Sequence, residues 1–262
     1  MNRMERKMLD LLRDLKQNHN VIAIKAEFEA EGSRSDELVK LNEVVFRADM
    51  DLYIKIGGCE AVRDLDECRL LGASGIMAPM IETPFAMSKF LSAIKKVFTP
   101  EEIEDIKFII NTETITCFEN IDEIFAVKDI EILHSIAVGR VDLSGSMGLS
   151  RDEINGEKVY EITKVFLEKA IAKGIVPGMG GGISQDAIPF ITRLGKLVEK
   201  FETRKVVFRC PDALSNINEG LVKAMEFELL YLQNKYEFYN RMAQEDMSRM
   251  KMMEARLSQK KG

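Results

Sequence analysis

Histidine and cysteine are scarce in this 262-residue chain, two of one and four of the other. Cys59, Cys68, Cys117 and Cys210 are scattered without any C-x-x-C spacing. That argues against a zinc site or a disulfide framework and predicts a cytosolic, cytoplasmic protein. No Ser-His-Asp or Cys-His arrangement stands out. His19 is predicted in a solvated loop, and His134 inside a strand as a core or supporting residue. No apolar run approaches the roughly 20 residues of a membrane helix, so no membrane partner is expected. The net charge of −6 gives no general attraction to nucleic acid or anionic lipid. The first segment, MNRMERKMLDLLRDLKQ, is too charged for a signal peptide.

What is present is ordinary globular composition, 46% hydrophobic and 31% charged, which excludes a disordered chain. Met4, Met8, Leu11, Leu12 and Leu15 recur at helical spacing, so residues 1–20 read as an amphipathic N-terminal helix. Short apolar runs then alternate with helical patterns. Strands are predicted at 21–29, 51–57, 75–80, 107–112, 132–139, 175–179 and 205–209. Helices are predicted at about 34–48, 59–71, 84–97, 118–127, 156–173, 185–201 and from 216 onward. Repeated strand–helix order points to a parallel α/β fold. Seven repeats in a chain of this length favour a closed (β/α) TIM-type barrel over residues 21–215. An eighth strand is not evident.

The stretch VIAIKAEFEAEG, from Val21 to Gly32, sets the polarity of that barrel. Side chains two apart on a strand share a face. Ile22, Ile24, Ala26 and Phe28 suit the outward face against the helices. Lys25, Glu27 and Glu29 then point inward and up, toward the strand ends where barrel chemistry sits. Leu52, Ile54 and Ile56 likewise leave Lys55 inward, and Phe108 and Ile110 leave Asn111 and Glu113 inward. Three strands agreeing weigh against a merely solvated set, because burying unpaired charge costs several kcal/mol.

Three ordered blocks carry a resemblance. GASGIMAPMIET at 72–83, INTET at 110–114 and GRVDLSGSMG at 139–148 resemble the HpcH/HpaI aldolase and citrate lyase β-subunit family. The likeness covers roughly residues 50–150. It implies a (β/α) barrel that binds a divalent metal, Mg²⁺ or Mn²⁺, and makes or breaks a C–C bond beside a 2-oxo acid or acyl thioester. It places the metal carboxylates on Glu113 and Asp142. Two carboxylates completed by water and a chelating substrate suit Mg²⁺. The residues alone leave other roles open: a cap for Asp142, and an ion pair with Lys55 or Lys107 for Glu113.

The chain also departs from that family's pattern. Lys55, followed by Gly57 and Gly58, stands where the family commonly carries a substrate-binding arginine. Lysine lacks the bidentate fork. The resemblance implies a Glu-His pair on the strand that here reads KAEFEAEG; with no histidine there, Glu27 or Glu29 is left to serve as base or to help order metal-bound water. Lys25, Gly57, Gly58, Arg140, Gly180 and Gly181 complete the candidate substrate-binding set. The segment PGMGGGIS at 177–184 lacks both nucleotide-binding glycine patterns. Two readings of it stand: exposed N–H groups that hold a phosphate or carboxylate, or a tight turn over which substrate fits.

Three functional readings follow. The first is a metal-dependent aldolase-type lyase acting on a pyruvate-like 2-oxo acid or acyl unit through an enolate. The second is a Schiff-base aldolase using Lys55. The third is a non-catalytic, metal-binding assembly module. A small-molecule substrate is expected in the first two. Residues 216–262 add a closing helix whose second half repeats Leu229, Leu232, Tyr236, Tyr239, Ala243, Met250, Met253 and Leu257 at steps near three and four. That seam predicts a C-terminal oligomerisation helix and a homo-oligomer.

Overall fold

The computed structural model describes residues 1–259; the last three residues of the predicted closing segment lie outside the described residues. Eight strands form one closed barrel in sequence order. They are β1 (Val21–Glu27), β2 (Asp51–Lys55), β3 (Gly75–Ala78), β4 (Lys107–Thr112), β5 (Leu133–Gly139), β6 (Gly178–Gly180), β7 (Lys200–Glu202) and β8 (Val206–Arg209). The helices are α1 (Arg3–His19), α2 (Ser35–Arg47), α3 (Val62–Leu70), α4 (Pro84–Val97), α5 (Pro100–Asp105), α6 (Ile115–Ile124), α7 (Arg140–Ser146), α8 (Glu157–Ala172), α9 (Ile188–Leu194) and α10 (Ile217–Gln259).

Strands β1 to β7 run parallel, as the alternating pattern predicts. The strand that the sequence pattern does not reveal is β7. The helix predicted over 185–201 includes Lys200 and Phe201, which instead belong to β7, and the strand predicted at 205–209 is the eighth. β8 pairs antiparallel with both β7 and β1, so the barrel is mixed and its last unit is a hairpin, not a strand–helix–strand crossover. The predicted helix over 185–201 is correspondingly short, α9 flanked by 3₁₀ turns. The sixth strand starts at Gly178, later than predicted.

Outward side chains such as Ile24, Ala26, Ile54, Phe108 and Val138 pack into one apolar mass with the helices. Inside, Ala23, Tyr53, Met77, Ile109, Ala137 and Val207 form a separate apolar plug. Ile22 packs against that inner plug instead of the helices, because the register of β1 against β8 shifts between Val21 and Ala23. The plug divides the barrel. Above it the inward side chains are mostly charged, among them Lys25, Glu27, Lys55 and Glu113; below it lie Lys107, Ser135 and Lys200.

Local sequence ends the strands where the site needs them. Thr114 follows Glu113 directly, and its hydroxyl accepts the Cys117 N–H at 3.1 Å, starting α6. That cap fixes the last inward residue of the β4 run at the barrel mouth. Thr83 caps α4 in the same way, with Pro84 at the first helical position. His19 is not solvated: it ends α1 and is 2% exposed, 3.9 Å from Glu219 of α10.

Candidate active site

A cavity of about 770 Å³ opens over the upper end of the barrel, within the size range of small-molecule sites. Its wall includes Lys25, Glu27, Glu29, Lys55, Asn111, Glu113, Asp142, Gly180, Gly181 and Glu202. Seven acidic side chains line it against four basic ones. An acidic excess of that kind favours a bound cation.

Glu113 is the most enclosed of these carboxylates, 1% exposed. Asn111 Nδ2 donates to one oxygen at 2.9 Å and the Met80 N–H donates to the other at 3.1 Å. Met80 takes a left-handed backbone, φ 50°, where it presents that N–H. Burial pushes the Glu113 carboxyl up, and Lys55, Asn111 and the Met80 N–H do not fully offset it. The negative charge of Asp142 raises it further, so the two carboxylates feel each other. Asp142 is exposed, in the first turn of α7, after the neighbouring strand β5. Gly139 makes the approach possible: a Cβ there would stand 2.5 Å from Glu113 Oε2.

Lysines fill the space between the acids. Lys55 Nζ lies 2.8 Å from Glu29 and 3.7 Å from Glu113. Lys25 Nζ lies 2.7 Å from Glu202 and 3.4 Å from Glu27. Burial by itself would depress both amines, but the paired carboxylates outweigh it and hold both above the ordinary lysine value. Arg204, at the tip of the β7–β8 hairpin, stands 3.7 Å from Glu27 and 3.6 Å from Glu31.

Hard carboxylate oxygens at the mouth of an acidic cavity fit a divalent ion such as Mg²⁺. Among the described residues, no three His, Cys, Asp or Glu side chains converge as a full cage. Glu113 and Asp142 would therefore hold it with water or substrate completing the shell.

The sequence model of the HpcH/HpaI aldolase/citrate lyase family matches residues 46–178. The chain belongs to that family. Its members are carbon–carbon lyases and related aldolases, and this chain is an enzyme of that kind. Solved structures show the same fold at low identity. An HpcH/HpaI aldolase from Desulfitobacterium hafniense DCB-2 is 17% identical, with a TM-score of 0.60, covering 83% of this chain and 88% of that one. An HpcH/HpaI aldolase/citrate lyase family protein from Burkholderia cenocepacia J2315 is 14% identical, with a TM-score of 0.62, covering 87% and 90%. The citrate synthase SbnG is 17% identical, with a TM-score of 0.57, covering 84% and 89%. No curated protein matches the chain.

Within this HpcH/HpaI family chain, three sequence-selected residues lie away from the cavity wall. Gly57 and Gly58 do not line it; the Gly57 N–H is spent on Asp64 at 2.7 Å. Arg140 does not line it either. Its guanidinium is fully buried behind the 180–182 loop and donates to backbone carbonyls there. Burial lowers its pKa to about 10. The reason is local: α7 begins at Arg140, which turns its side chain out of the barrel.

Glu202 and Arg204 escaped the sequence reading. Their signal was the alternation Lys200, Phe201, Glu202, too brief to register against the helical pattern before it. Met225 and Glu228 of α10 also reach the cavity wall.

Proposed function

We propose that this enzyme is a metal-dependent lyase that makes or breaks the C–C bond beside the carbonyl of a pyruvate-like 2-oxo acid or acyl unit. The observation that carries the reading is the pair Glu113 and Asp142, on adjacent strand ends, facing one acidic cavity. They would hold Mg²⁺ or Mn²⁺, which when bound would act as a Lewis acid on the substrate's oxygens and favour its enolate.

The chain's own residues supply the rest. Asn111 and the Met80 N–H fix the Glu113 carboxylate, so it is oriented before substrate arrives. Lys55 stays protonated between Glu29 and Glu113 and neutralises substrate charge. Glu29 is assigned the proton transfer. Its side chain is 27% exposed to the cavity and its ion-pair partner is Lys55, at Oε2, which leaves Oε1 to take or give a proton at the carbon being cleaved. Glu27 is held by both Lys25 and Arg204, and we assign it to positioning them. Lys25 and Glu202 complete the charge balance on the far wall.

A Schiff-base route through Lys55 is not favoured, because an ammonium paired with two carboxylates has no lone pair to attack a carbonyl. An assembly role without catalysis has no observation in its favour. All four cysteines are free thiols, which supports a reducing, cytoplasmic compartment.

We also propose that the outer part of α10 builds a homo-oligomer. Every residue from Arg241 to Ser258 is exposed, including Met247, Met250, Met253 and Leu257. Adaptable apolar side chains on a projecting helix suit a partner helix.

The test is C–C cleavage and pyruvate proton exchange across a panel of 2-oxo acids, with and without exhaustive chelation. Loss of activity with chelator and its return with Mg²⁺ or Mn²⁺ is expected. Activity that ignores metal removal defeats the reading.

A further inference from the structure

Arg140 is buried to 0% exposure, yet no carboxylate lies within ion-pair distance of it among the described residues. Its donors go elsewhere. Nε reaches the Gly180 carbonyl at 3.4 Å, and Nη2 reaches the Gly181 and Gly182 carbonyls at 2.8 and 3.2 Å. Nη1 reaches Asn155 Oδ1 at 2.7 Å, and the guanidinium carbon lies 4.5 Å from the centre of the Phe190 ring. Burying a cation without a counter-charge costs several kcal/mol. Carbonyl dipoles offset part of that cost; an anion would offset the rest.

The loop in front of Arg140 lines the cavity. In a trans peptide the C=O and the following N–H point in opposite directions. Carbonyls 180, 181 and 182 are drawn back to Arg140, so the N–H groups of Gly181, Gly182 and Ile183 face away from it, on the cavity side. None of those three donates to an acceptor among the described residues. Gly181 and Gly182 hold left-handed backbones, φ 76° and 62°, which bring successive N–H groups into one concavity. The loop also lies close against α7: a Cβ on Gly181 would meet the Arg140 and Val141 nitrogens at 2.8 Å.

We propose that the Gly180–Ile183 loop is a receptor for an anionic group of the substrate, with Arg140 as the positioning residue that aims its N–H groups and supplies positive charge from behind. This rests on the reading of the cavity as the active site. The ligand class is an acid whose second oxyanion, carboxylate or phosphate, reaches past the metal pair to this loop. It also gives the buried Arg140 a use that direct contact with substrate cannot.

Full-length protein labelled with ¹⁵N-glycine reports the Gly181 and Gly182 N–H groups directly. Metal-free protein is titrated with inorganic phosphate and, separately, with malonate, at constant ionic strength. Saturable shifts of both resonances are expected, and the tighter anion names the source. In Arg140→Lys the half-saturating concentration should rise at least tenfold, while the Mn²⁺ affinity stays within twofold of the wild type. Asn155→Ala, which frees one guanidinium nitrogen, should give a smaller rise and covers the case in which Arg140→Lys does not fold. Wild-type resonances that stay still with both anions overturn the proposal. So does a folded Arg140→Lys protein that titrates like the wild type. Failure of the metal-lyase reading shows instead as absent Mn²⁺ binding, which these shifts do not depend on.

Discussion

Lys55 of β2 and Glu113 beyond β4 meet across the barrel mouth at 3.7 Å. The ammonium partly opposes the upward push of burial on that carboxyl. Lys55→Met removes the opposition, so Glu113 should hold its proton to higher pH. A proton competes with metal for the carboxylate. Mn²⁺ affinity in Lys55→Met should therefore fall as pH is lowered from 8 to 6, by about tenfold more than in the wild type. Calorimetric titration at the two pH values checks it; parallel pH profiles would show that Lys55 does not tune Glu113.

Gly139 leaves room for Glu113. A Cβ there would meet the carboxylate oxygen at 2.5 Å and the Glu113 Cβ at 2.8 Å. Gly139→Ala should displace the carboxylate and weaken Mn²⁺ binding by about tenfold or more, a scale set by the roughly 1.4 kcal/mol that one decade represents. Gly145→Ala, where an added Cβ meets nothing within 4 Å, should bind Mn²⁺ as the wild type does. Equal affinities in the two variants would mean that the approach is not tight.

Below the apolar plug, Lys200 is 5% exposed, and its amine donates to Ser135 Oγ at 2.6 Å. Burial lowers its pKa from 10.5 to about 8. A base with a depressed folded-state pKa is penalised wherever the unfolded chain binds the proton more tightly. The penalty is fully present below about pH 8 and is relieved as pH rises toward the unfolded value. Lys200→Met should stabilise the protein by about 2 kcal/mol at pH 7, with the gain shrinking by pH 10. Urea unfolding at both pH values tests it; a gain that does not shrink would place its origin in packing.

The outer helix gives a separable prediction. α10 is tied to the body as far as Tyr239, whose hydroxyl bonds Glu37, and Lys235 pairs with the same carboxylate at 2.9 Å. Ending the chain after Ala243 keeps both ties. The truncated protein should retain its unfolding temperature within a few degrees, while light scattering shows a smaller assembly. An unchanged mass would remove the tail from assembly.

The sequence exposed the upper face of the barrel well and its closure poorly. Lys25, Glu27 and Lys55 were readable because each sits on a strand long enough to show alternation, and Glu29 and Glu113 because they continue that alternation just past the ends of β1 and β4. β7 has three residues, of which Phe201 alone faces the helices. No period can be read from that, and the Thr203–Lys205 turn carries no glycine, asparagine or proline to announce a hairpin. Glu202 and Arg204 were lost with it. Arg140 was placed correctly along the chain and wrongly in space, since a strand end that becomes a helix within one residue turns its side chain out of the barrel.

The antiparallel closure also sets an order of events. Ala23 of β1 pairs with Val207, so β1 finds its second neighbour only once a strand far downstream in the chain has been made. Until then one edge of β1 has no partner, and the acids and amine of its inner face lack Glu202 and Arg204. An open edge carrying both charge signs resists pairing with other chains. During synthesis, the charges that later balance the cavity thus act as the guard of an unfinished sheet.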